Sequence, residues 1–151
     1  MNRWHYAFLL ALVIFLAGLY FLRRRGPSES LAGIDANHDG VRDDVEKIIE
    51  EKYRDGKVKI VARELYRGMQ EAMLNPASDA KRQLFALDCL YYVAPEIAGR
   101  VSDEIEAITL NTRARIEASW RGDAAHSGTI LPKARSKKEA CGFDHRLLES
   151  K

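Results

Sequence analysis

Asp35-Ala36-Asn37-His38-Asp39-Gly40-Val41-Arg42-Asp43-Asp44-Val45-Glu46 sets the reading of everything on either side of it. Calcium takes roughly six to eight oxygen ligands, and a loop of about twelve residues can supply them from positions 1, 3, 5, 7, 9 and 12. Those positions hold Asp35, Asn37, Asp39, the main-chain carbonyl of Val41, Asp43 and Glu46. Gly40 stands where such a loop turns sharply with positive φ, and Glu46 can offer both carboxylate oxygens. The spacing D-x-[DN]-x-[DN]-G-x5-E is complete, so Ca2+ is the expected cofactor. A plain turn running into a capped helix accounts for part of the stretch: Asp-Gly marks a turn, and Asp43, Asp44 and Glu46 suit a helix N-terminus. It does not account for side-chain oxygens at Asp35, Asn37 and Asp39 together. Without metal, the crowded carboxylates should repel one another and keep the loop mobile.

Downstream of the loop the apolar residues recur at helical spacing. Val45, Ile48, Ile49 and Tyr53 share a face of a helix near residues 43–54, which Asp55-Gly56 closes. Val58, Val61, Leu65, Met69 and Met73 form the next stripe, ended by Asn75-Pro76, with Ser78 or Asp79 available as the following cap. Residues 80–93 are the most apolar helix and are placed centrally, with Asp88 satisfied by a capping or arginine partner. Ile97, Val101, Ile105, Ile108, Thr112 and Ile116 run along one helix from Pro95 to about Trp120. From Arg121 the pattern fails, and Lys133, Arg135, Lys137 and Lys138 make a basic run suited to a solvated tail or to weak contact with acidic headgroups. Nothing alternates as strands do. The expected fold class is all-α: a transmembrane segment over 1–25, a linker over 26–34, the calcium loop over 35–46, a bundle of about four helices over 43–120, and an irregular tail over 121–151 docked on it.

The loop resembles that of the EF-hand family at Asp35, Asn37, Asp39, Gly40, Asp43 and Glu46. The resemblance implies calcium ligation by those residues and covers about twelve of them. An EF-hand carries a helix ahead of its loop; this chain has Gly26-Pro-Ser-Glu-Ser-Leu-Ala-Gly33, which reads as a tether. The eighth loop position, aliphatic where two hands pair, is Arg42, and no second loop exists to pair with. Standing alone, the loop is also similar to the solitary calcium loops of dockerins and thrombospondin type 3 repeats.

Upstream, residues 4–22 contain no Lys, Arg, Asp or Glu. As a helix they would span about 28 Å, close to a bilayer's hydrocarbon thickness. Trp4, Tyr6 and Tyr20 fit the two interfaces, and no convincing cleavage site follows, so an uncleaved signal-anchor in the membrane is expected. Arg23, Arg24 and Arg25 favour a cytoplasmic domain by the positive-inside rule. A lone, low-affinity calcium loop and a cysteine pair favour the periplasmic or extracellular side, which is the reading adopted.

The chain has two cysteines, Cys89 and Cys141. In an exported domain they suggest one disulfide pinning the tail to the bundle. Two buried thiols, or a zinc site from Cys89, His126, Cys141 and His145, are the alternatives. Net charge is +2, but residues 1–25 hold four Arg and no acid, leaving 20 basic against 22 acidic side chains beyond them. A near-neutral domain argues against a nucleic-acid partner. No phosphate loop, GxSxG or HExxH occurs, and no catalytic residue is expected; only His38 lies near enough to the loop to serve a hydrolase. The expectation is a membrane-anchored calcium-binding domain, not an enzyme. An interaction module for an unidentified envelope protein, with incidental calcium, is the other class.

Overall fold

The structure, a computed structural model, describes residues 31–149. These contain helices α1 (Asp43–Lys52), α2 (Gly56–Leu74), α3 (Lys81–Val93), α4 (Ala98–Thr109), α5 (Arg113–Ala125) and α6 (Lys137–Ala140), then a 3-10 turn over His145–Leu147. No strand occurs among the described residues. Acids fill the first turn of α1 and Lys52 its last, matching the helix dipole at both ends. Val45 and Ile49 are buried, as is Tyr53 just beyond, so α1 lays its apolar stripe on the core. Asp55 caps α2 by accepting the Lys57 amide at 2.7 Å. Asp79 accepts the Lys81 amide at 3.0 Å ahead of α3.

The central helix is α2, not α3 as the sequence led us to expect. α2 packs against α1, α3, α4 and α5. Its stripe Val58, Val61, Ala62, Leu65, Tyr66 and Met73 is buried along its length. In α3 the apolar residues spread around the helix, so only Ala86, Cys89 and Leu90 are buried and Tyr91 and Tyr92 stay exposed. Gly68 is what brings α2 and α3 together. A Cβ there would lie 2.5 Å from the Gln83 main chain.

The long helix expected from Pro95 to Trp120 is two helices. Thr112 accepts the Arg115 amide at 3.3 Å and starts α5 afresh. The break at 110–112 rotates the inward face. Arg115, Ala118 and Gly122 point to the core, and Ile116 is only half-buried. Helix α5 then continues past Trp120 to Ala125.

Beyond it the chain is mostly irregular, but Ala134, Ala140, Cys141 and Leu147 join the core cluster. Asp88 accepts the Ala134 amide at 2.9 Å, so its partner is the main chain of the tail and not the cap or arginine expected. Cys89 and Cys141, 52 residues apart in sequence, have Cα atoms 5.0 Å apart and sulfurs in bonding distance. Among the described residues no helix is long and apolar enough to cross a membrane. The segment 4–22 and the three arginines after it lie outside the described residues.

Candidate metal centre

The loop that precedes α1 folds around its own side chains. Asp35 accepts the amides of Asp39, at 3.2 Å, and Gly40, at 2.9 Å, one with each carboxylate oxygen. Asn37 Oδ1 accepts the Asp39 amide at 3.1 Å, and Asp39 Oδ1 the Val41 amide at 2.7 Å. Asp43 Oδ1 accepts the amide of Ala36 at 3.0 Å. These bonds wind the backbone about the oxygen-bearing residues, with φ of 58° at His38 and 83° at Gly40. At Gly40 that conformation carries no Cβ penalty. Val41 drives its side chain wholly into the core, and the Asp43 amide donates to the Ile34 carbonyl at 2.9 Å. The loop is thereby closed at its base and anchored in the bundle.

Four of the six expected ligand positions lie in this loop and two, Asp43 and Glu46, in the first turn of α1; their donors are the hard oxygens calcium takes. They are not gathered: among the described residues no three His, Cys, Asp or Glu side chains stand close enough to hold a metal ion. Two ligands face cations from α2 instead. Arg67 Nε donates to the Asp39 carbonyl at 2.8 Å, and its Nη2 lies 3.3 Å from Asp39 Oδ2. Arg63 Nε lies 3.5 Å from Glu46 Oε1, while Glu46 Oε2 accepts Asn37 Nδ2 at 3.2 Å.

Arg42, the residue that breaks the expected loop pattern, has a structural role of its own. It is 3% exposed, pairs with Asp44, and donates to the Ile108 carbonyl at 2.9 Å. The loop is thus tied to α4 by its eighth position. Burial opposes the charge on Asp44, but the hydrogen bond and charge of Arg42 outweigh it and hold this carboxyl below its ordinary pKa. Beside Arg42 lies Arg115, 2% exposed, whose Nε donates to the Leu31 carbonyl at 3.2 Å. Burial and the neighbouring Arg42 charge lower its pKa. A cleft of about 450 Å³ opens behind the loop between Ile34, Arg42, Asp44, Asn111 and Arg115. No sequence pattern pointed to Arg63, Arg67 or Arg115, because their contacts with Glu46, Asp39 and Leu31 are made only once α2 and α5 pack beside the loop.

The zinc alternative is not assembled. The sulfurs of Cys89 and Cys141 lie on each other. His126 places its ring nitrogens 2.9 Å from the Gly122 carbonyl and 2.6 Å from that of Ser78, and His145 is exposed. His38 is exposed on the loop's outer side.

No family model, curated protein or solved structure matches this chain.

Proposed function

We propose that residues 35–46 bind calcium, through Asp35, Asn37, Asp39, the Val41 carbonyl, Asp43 and Glu46, and that the ion rigidifies the junction between a membrane tether and the bundle. The observation that carries this is the winding of the loop about Asp35. Both oxygens of that carboxylate take loop amides, and the oxygen-bearing residues follow at ligand spacing. The loop also sits where ordering it has consequences. Leu31 and Ile34, on the tether side, are bonded to Arg115 on α5 and to Asp43 on α1. The role is binding rather than catalysis, and the domain faces the envelope or extracellular side. There calcium is abundant enough for a solitary site, and a Cys89–Cys141 bridge is stable.

Calcium at about ten times its Kd should stabilise the fold by about 1.4 kcal/mol and raise Tm by roughly 5 °C. Asp39→Ala should remove that rise. A melting curve indifferent to calcium in the parent chain contradicts the reading.

A second reading gives the main role to a protein partner. Trp120 is 66% exposed beside Leu110 and Ile116, an apolar surface that a partner helix could cover. Capture of an envelope protein that survives chelation and is lost in Trp120→Ala would favour it.

A further inference from the structure

We infer that Arg63 and Arg67 set the calcium affinity of the loop by occupying its carboxylates in the metal-free state; this rests on the calcium reading above. The two residues are four apart on α2 and so project from one face, side by side. Arg67 grips the fifth loop position twice, through the Asp39 carbonyl and Asp39 Oδ2. Its aliphatic stem passes over Gly40, so that a Cβ on that glycine would lie 3.5 Å from Arg67 Nε. Arg63 reaches Glu46, the residue that must turn both oxygens inward to close a calcium cage. Asn37 holds the other oxygen of Glu46.

A cation entering the loop competes with these guanidinium groups for the same oxygens. Each arginine also cancels one unit of the negative charge that draws calcium in, and ligand charge is a main determinant of affinity in such loops. The exchange does not strand the arginines. Arg67 Nη1 already lies 3.6 Å from Glu64 Oε2, and Arg63 already pairs with Glu50. Both therefore have a second carboxylate to fall back on when the loop's own are taken. Two fixed cations in this position place the site at the weak end of the calcium range, where it fills only in a calcium-rich compartment. They also hold the empty loop together, countering the carboxylate repulsion that would otherwise leave it mobile.

The test compares calcium titrations, by isothermal calorimetry, of the full chain and of Arg67→Gln, Arg63→Gln and Arg82→Gln. Each change removes one positive charge. Arg82 pairs with Glu64 and Glu71 and touches no loop residue, so it controls for the loss of a nearby cation that holds no loop oxygen. Arg67→Gln and Arg63→Gln should each tighten calcium binding about fivefold to tenfold, and Arg82→Gln less than about twofold. In chelator the Arg67→Gln chain should melt below the parent chain, and calcium should close the gap. Equal affinity in parent, Arg63→Gln and Arg67→Gln would overturn it while leaving the calcium site standing. No binding in any of the four chains would overturn both.

Discussion

Removing the Arg42 side chain should cost more than any exposed substitution near it. Arg42→Ala leaves Asp44 without its partner, the Ile108 carbonyl without its donor and a void beneath the loop. With Asp44 itself half exposed, a loss of about 2 kcal/mol is expected in denaturant unfolding. Arg54→Ala, at an exposed position, should cost under about 0.5 kcal/mol. Gly68→Ala belongs to the same scale. Its Cβ would meet the Gln83 backbone, which cannot swing away as a side chain would, so α2 and α3 must separate. His126 gives a pH signature. Hydrogen bonds to the Gly122 and then the Ser78 carbonyl raise its pKa, because only the imidazolium donates from both nitrogens. A group whose pKa is raised on folding contributes fully below its unfolded value of about 6.5, and that contribution is lost as pH rises through the folded value. Tm should therefore fall across this interval in the parent chain, and the fall should be shallower in His126→Gln.

At the scale of elements, the division between what could be read and what could not follows from the range of the interactions. Helices α1 and α2 were legible because each carries a single stripe, with acids in the first turn of α1 and Asp55 capping α2. The turn at Asp39-Gly40 was legible because it depends on local sequence, and Gly40 takes a φ of 83°. The break between α4 and α5 was missed because Ile105, Ile108, Thr112 and Ile116 keep a helical period through it. Asn111-Thr112 makes a good cap, but propensity alone does not say whether a cap will be used. The centrality of α2 was missed because total apolarity pointed to α3, whereas a concentrated stripe decides burial. Arg63 and Arg67 lie off the apolar stripe of α2, and only tertiary packing brings Asp39 and Glu46 to them. The tail's hold on the bundle can be tested separately. A bridge closing a 52-residue span contributes about 4 kcal/mol in the chain-entropy treatment, so Cys141→Ser should lower stability by up to that amount. Proteolysis between 126 and 136 should then release the tail in the variant and leave it attached in the parent chain.

Over the whole molecule, the charge and the anchor bear on how the site is used. On the reading proposed above, only residues 23–34 separate the anchor at 4–22 from the loop at 35–46, which would put the ion at the membrane end of the domain. An ion there would fix the angle at which the bundle leaves its tether without altering the core. On the same reading, the loop has a support of its own where a second hand would stand. Val41 and Arg42, at its seventh and eighth positions, are docked into the chain's own core and α4, where a paired loop would have a second hand. Calcium titration into the full-length chain by isothermal calorimetry, alongside Asp35→Ala, reaches this account's foundation. One saturable site with a Kd of about 10⁻⁴ to 10⁻³ M, absent from the variant, is the predicted result. No saturable heat up to about 10 mM calcium in the parent chain, well beyond the range of such solitary sites, would contradict it.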